Sequence, residues 1–130
     1  MILDRPLESD LWPAIERGIV KSMSVETCNC DLDDVVSGIG DGRYGVVIVQ
    51  DEGEIVMGVA VLSEEDGWVD VPFLWSAGIK SLNSLFEEIE EVARLTGSKG
   101  VKWCSANEQG HSYAARRGYR QRLVEYVKEV

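Results

Sequence analysis

Residues 81–96 constrain this chain more than any other segment. Leu82, Leu85, Phe86, Ile89, Val92 and Ala93 recur at the spacing of one wide helical face. Glu87, Glu88, Glu90 and Glu91 form the solvated side of the same helix, and Gly97 ends it. Strand-like runs flank it, at 68–75 and at 99–105. A connection this long is no hairpin, so the two strands are expected to lie parallel, joined by a right-handed crossover, and to separate toward their C-terminal ends. The fold class that follows is α/β, a mixed central sheet with flanking helices.

The rest of the chain fits around that unit. Residues 8–23 read as a first helix, with Ser9 as its cap, Pro13 in its first turn and Leu11, Ile15, Ile19 and Met23 on its apolar stripe. Residues 32–39 read as a short second helix capped by Asp31, with Val35, Val36 and Ile39 inward. Strands are expected at 44–50 and 54–62, rich in valine and isoleucine, with a tight turn at Asp51-Glu52-Gly53. A second turn should occupy Ser63 to Gly67. In the strand at 68–75, Pro72 implies an edge, a bulge or a break in pairing. A short helix at 112–117 and a closing strand at 120–130 complete one expected domain over residues 1–130.

The chain has 130 residues, enough for a core that needs neither disulfide nor metal. No apolar run is long enough to span a membrane, and the N-terminus lacks a basic segment followed by an apolar stretch, so a cytoplasmic protein is expected. Cys28, Cys30 and Cys104 are read as free thiols, with Cys104 buried in the crossover strand. A single histidine, His111, and an unpartnered Cys28-x-Cys30 give no expectation of a metal site. Trp12, Trp68, Trp75 and Trp103 read mostly as core, though Trp75, at a strand end, is also open to lining a pocket.

Net charge is −10, unevenly spread. Residues 1–98 hold 20 acidic and 6 basic side chains, whereas residues 99–130 hold 3 and 7. Arg116, Arg117, Arg120 and Arg122 form the basic cluster, read either as the flank of a helix end or as a site for a phosphorylated ligand. The acidic remainder would repel a long polyanion, so no nucleic-acid partner and no membrane partner is expected.

Toward the C-terminus, Asn107 stands eleven residues before Gly118-Tyr119, which opens the last strand. This spacing resembles the second half of the acyl-CoA fold of the GNAT superfamily of N-acetyltransferases. Gly110 stands where that pattern commonly has alanine, and Ala114 where it has the tyrosine that often serves as general acid. Tyr113 lies one residue earlier, about 100° around a helix. It is a catalytic candidate if the register moves, and a packing residue otherwise.

The superfamily's pyrophosphate loop pairs Gln or Arg with small residues at the start of the long helix, so that backbone N–H groups reach the phosphates. Here the loop is Trp75-Ser76-Ala77-Gly78-Ile79-Lys80-Ser81. Trp75 stands at the Arg or Gln position and Lys80 at the second small one. The resemblance implies acetyl-CoA as cofactor, with Ser76, Gly78, Lys80 and Asn107 as binding residues. Ser84 with Glu87 also makes a capping box, which leaves open a later helix start and a longer loop. Asp70 is the acidic residue inside the expected strand at 68–75. Alternation puts it on one side with Trp68 and Leu74, either as a base with a raised pKa or facing solvent from an edge.

A narrower resemblance joins Asp10-Leu11-Trp12-Pro13, Trp75 and Gly118-Tyr119 to the acetyltransferase-like proteins of tailed bacteriophages. It implies two functions. One is acetyl-CoA-dependent N-acetylation of a small-molecule or protein amine. The other is a GNAT-like binding or structural module without chemistry, partnered by phage structural proteins in the host cytoplasm or the virion.

Overall fold

The structure, a computed structural model, describes residues 1–25, 31–104, 108–120 and 128. In chain order these form a 3₁₀ turn at Pro6–Glu8, α1 (Trp12–Val25), α2 (Leu32–Gly40), β1 (Gly45–Gln50), β2 (Val56–Glu65), β3 (Trp68–Ser76), α3 (Ile79–Leu95), β4 (Val101–Trp103) and α4 (Glu108–Arg116). The strands make one four-stranded sheet in the order β1-β2-β3-β4. The first two pairings are antiparallel. β3 and β4 are parallel, as a helix-length crossover requires. Ile2 bridges to Val47 and extends the β1 edge.

Both faces of the sheet are covered, which explains why β1 and β2 read as continuous apolar runs. Val46, Ile48, Val59, Val61 and Phe73 pack with Ile15 and Ile19 of α1 and Val35 and Ile39 of α2. Val47, Ala60, Leu62, Val69 and Val71 pack on the other face with Leu85, Phe86, Ile89 and Ala93 of α3. Each valine, leucine, isoleucine or phenylalanine among them contributes about 1.5–3 kcal/mol when fully buried. Gly18 lets α1 approach closely, since a Cβ there would lie 2.8 Å from Val59 Cγ2.

Several boundaries move for identifiable reasons. The first helix starts at Trp12 instead of residue 8, because Ser9 Oγ accepts the Leu11 N–H at 3.1 Å after the 3₁₀ turn. Asp31 caps α2 as expected, accepting the Asp34 N–H at 2.8 Å. β2 runs on to Glu65, paired with Trp68, so Ser63 to Glu65 belong to the strand and not to a turn. The turn is Asp66-Gly67 alone, with φ of 53° and 84°. That is the two-residue geometry Asp-Gly favours.

α3 starts at Ile79, so the capping box at Ser84 is not used. Ser84 lies within the helix and donates to the Lys80 carbonyl at 3.2 Å. α4 likewise starts earlier than expected, at Glu108. Cys104 is an exposed free thiol, not a buried one, because β4 ends at Trp103. Cys28, Cys30, Asn107 and Arg122 lie outside the described residues, as does all of the closing strand expected at 120–130 except Arg120 and Lys128. Among the described residues no helix is long and apolar enough to cross a membrane, and no cluster of potential metal ligands occurs.

Candidate functional site

The feature that builds the site is a bulge in β3. Val61 pairs with Phe73 but Ser63 pairs with Asp70, so Val71 and Pro72 together oppose Leu62. Pro72 has no N–H to give to a ladder, and a bulge is where a sheet tolerates it. On the other edge of β3 the parallel pairing covers Val69↔Val101, Asp70↔Lys102 and Val71↔Trp103. Beyond Val71 no β3 residue has a β4 partner among the described residues. The described pairing with β4 thus stops where the bulge begins.

The bulge also changes which face each side chain takes. Val69 and Val71 point toward α3, which puts Asp70 on the α1 and α2 face. After the extra residue, Phe73 and Trp75 lie on that face and Leu74 on the α3 face. Asp70 therefore shares its side with Trp68, Phe73 and Trp75, and not with Leu74. Ser63 and Lys102 flank it on β2 and β4. Burial raises its pKa from the ordinary carboxylate value, opposed by Lys102 and reinforced by Glu65.

Ser76, Gly78 and Lys80 come together where β3 enters α3. Ser76 Oγ donates to the Gly78 carbonyl at 2.6 Å and accepts the Gly78 N–H at 3.3 Å. The Ala77 N–H is taken by the Met57 carbonyl at 2.9 Å. Helix geometry leaves the N–H groups of Ile79, Lys80 and Ser81 without intrahelical partners. The first turn carries Lys80 and no carboxylate. A Cβ at Gly78 would meet nothing within 4 Å, so the space before this helix end is open. These features suit a phosphate group. Trp75, in contrast, turns its ring away to α1, where Lys21 Nζ lies 4.7 Å from the ring centroid.

Tyr113 is on the α3 side of the sheet, opposite to Asp70. It is 7% exposed and packs against Phe86, with ring centroids 5.5 Å apart. Its hydroxyl donates to Asn83 Oδ1 at 2.7 Å, one turn along α3 from Lys80. Burial raises the phenol pKa, with Arg117 opposing. Glu90, expected among the solvated acids of α3, instead faces α4. It accepts from Arg117 Nε and Nη2, each at 3.0 Å, and from the Tyr119 hydroxyl at 2.9 Å. Arg117 is thereby withdrawn from the basic cluster, while Arg116 turns to the Ser112 carbonyl of its own helix. Arg120 is exposed.

Sequence reasoning missed Asn83, Glu90, Glu65 and Lys102. Asn83 and Glu90 stand on the α3 face that α4 covers, and nothing local marks that contact. Lys102 carries a usable signal. Alternating with Val101 and Trp103, it shares a face with Asp70 once the parallel register is known.

No family model matches the chain, and no curated protein matches it. Solved structures do. The chain is similar to an acetyltransferase of Trypanosoma brucei, at 14% identity and TM-score 0.68, over 100% of this chain and 97% of that one. It is similar to the aminoglycoside antibiotic 6'-N-acetyltransferase AAC(6')-Ih from Acinetobacter baumannii, at 14% identity and TM-score 0.62, again over 100% and 97%. A third likeness is to the aminoglycoside N-acetyltransferase AAC(6')-Iy in complex with CoA, at 10% identity and TM-score 0.61, over 100% and 98%. The mixed sheet with its flanking helices is the fold of the GNAT acetyltransferases.

Proposed function

We propose that this protein transfers an acetyl group from acetyl-CoA to a primary amine, with Asp70 taking up the amine's proton. One observation carries the reading. Among the described residues the parallel pairing stops at Val71, beside Asp70 and at the start of the bulge, on the same strand that leads into the open N-terminus of α3. A strand edge freed of its neighbour offers backbone groups to a ligand, and a helix N-terminus offers N–H groups to phosphate.

Acetyl-CoA, when bound, supplies an activated thioester. The residues suited to hold it are Lys80, Ser76 and Gly78, with the N–H groups of Ile79, Lys80 and Ser81, and Asn107 as a further binding residue. Lys80 offers charge without the planar fork of an arginine, and the Trp75 position gives no cation to the loop. Asp70 is suited to proton uptake because desolvation moves its pKa toward the range where an acid–base group works. Tyr113 is the candidate proton donor. Its O–H would first have to leave Asn83.

The test is amine-dependent release of free CoA thiol, measured with acetyl-CoA and a panel of aliphatic diamines, amino sugars and lysine peptides. At least one amine should support release, and Asp70→Asn should lower it by about 10²–10⁴-fold. A second reading, a GNAT-like binding or structural module such as a phage particle component, is favoured by the turn of Trp75 toward α1 and by the engaged Tyr113 hydroxyl. Release with none of the amines would favour it over the enzyme.

A further inference from the structure

The sheet face that carries Asp70 also carries an ion pair that the proposed reaction does not use. Glu65 on β2 and Lys102 on β4 lie two strands apart, about 10 Å between their backbones. Yet Lys102 Nζ is 3.4 Å from Glu65 Oε1. The two long side chains meet over β3, which runs between them. Glu65 pairs with Trp68 and Lys102 pairs with Asp70, so the bridge crosses β3 within this short stretch. Alternation puts Ser63, Glu65, Asp70 and Lys102 on this one face, since Leu62, Val69, Val71, Val101 and Trp103 pack toward α3.

We propose that Lys102 is a positioning residue for Asp70. Drawn over β3 by Glu65, its ammonium favours the ionised form of the Asp70 carboxylate, the form that accepts a proton. Glu65 moderates that effect by sharing the Lys102 charge. The inference rests on the reading of Asp70 as the base. In the step concerned, an N–H bond of the substrate's ammonium group breaks, its proton forms an O–H bond on Asp70, and the nitrogen keeps the electron pair as the neutral amine.

The surroundings of Asp70 favour this assignment. Among the described residues, the charges acting on it are Lys102 and Glu65, and its own strand adds the Val71 N–H. From α1, Glu16 is bonded to Trp12 Nε1, Arg17 is exposed, and Lys21 lies over Trp75 further along β3. α3 packs on the opposite face. Lys102 is 27% exposed, so its field on Asp70 is less screened than that of a surface lysine.

The experiment follows the Asp70 carboxyl carbon by NMR through a pH titration of the free protein, the resonance being assigned by its loss in Asp70→Asn. Lys102→Met should raise the titration midpoint by about one pH unit, and Lys102→Arg should leave it near the wild-type value. Glu65→Gln should lower it, because Lys102 then serves Asp70 alone. An unchanged midpoint in Lys102→Met overturns the proposal. Should Lys102→Met not fold, Lys102→Gln carries the test, since Lys102 is 27% exposed and Gln keeps a polar side chain there. A raised midpoint then supports the proposal and an unchanged one overturns it. The titration needs neither acetyl-CoA nor amine, so a failed acetylation assay bears on the base assignment and not on this one.

Discussion

Glu90 of α3 and Arg117, just past α4, form a two-point ion pair, with Arg117 Nε and Nη2 each 3.0 Å from a Glu90 oxygen. Their side chains are 28% and 19% exposed, and the guanidinium carbon lies 5.7 Å from the Phe86 ring centroid. This pair ties α4 to the crossover helix. Glu90→Gln should lower unfolding free energy by about 1–3 kcal/mol, because Arg117 is left partly buried without its counter-charge. Urea denaturation measures this. Adding Arg117→Met should restore part of the loss, and strict additivity would argue against coupling.

Tyr119 supplies a pH signature. Burial, and then its hydrogen bond to Glu90, raises its pKa. A raised pKa means that the folded state holds the proton longer than the unfolded chain. The stability it contributes is present below the ordinary tyrosine value of about 10 and is lost as pH rises above it. Wild-type stability should therefore fall faster than that of Tyr119→Phe between about pH 9.5 and 11. Parallel curves from denaturation at stepped pH would contradict this.

Asp70 has the same sign of shift in a lower pH range. Its raised pKa contributes stability below the ordinary carboxylate value of 3.8, and that stability is lost as pH rises through the folded value. Above the folded value the carboxylate is ionised against the cost of desolvation. Asp70→Asn should therefore melt at or above the wild-type temperature at pH 7, while losing the proposed activity. A lower melting temperature would mean that Asp70 serves the fold.

Cys104 tests how β4 ends. Exposed and unpaired, it should react with a thiol reagent in the folded protein, without denaturant. Cys104→Ser should lose one equivalent of fast-reacting thiol. No loss would mean that this residue is covered.

What was legible in the sequence followed from periodicity. The stripe through Leu85, Phe86 and Ile89 announced the crossover helix, and with it the parallel pairing of β3 and β4. Pro72 announced an edge, a bulge or a break in pairing, but neither which of them forms nor its consequence. Shifting the alternation of β3 by one residue moves Trp75 to the α1 face and Leu74 to the α3 face, and that depends on how β2 pairs. Ser63-Glu64-Glu65 looked like a turn because it is polar. In the sheet, Ser63 and Glu65 stand on the face they share with Asp70 and Lys102. Glu90 looked solvated because its partners, Arg117 and Tyr119, are remote in sequence.

The site divided in the same way. Ser76, Gly78 and Lys80 are close in sequence and were found together, since a strand-to-helix loop is local. Asp70 and Tyr113 were identified singly, but their separation to opposite faces depends on the bulge and on the seating of α4. The partners Asn83 and Lys102 emerge from packing alone.

Calorimetric titration with acetyl-CoA tests the proposed site at its foundation. With Trp75 and Lys80 in place of the usual loop residues, two charge-assisted contacts are missing, so a dissociation constant of about 10⁻⁴ M or weaker is expected. Lys80→Glu should abolish saturable binding, and Ala114→Tyr should leave it unchanged. Saturable binding that survives Lys80→Glu would contradict the placement of the phosphates at the start of α3.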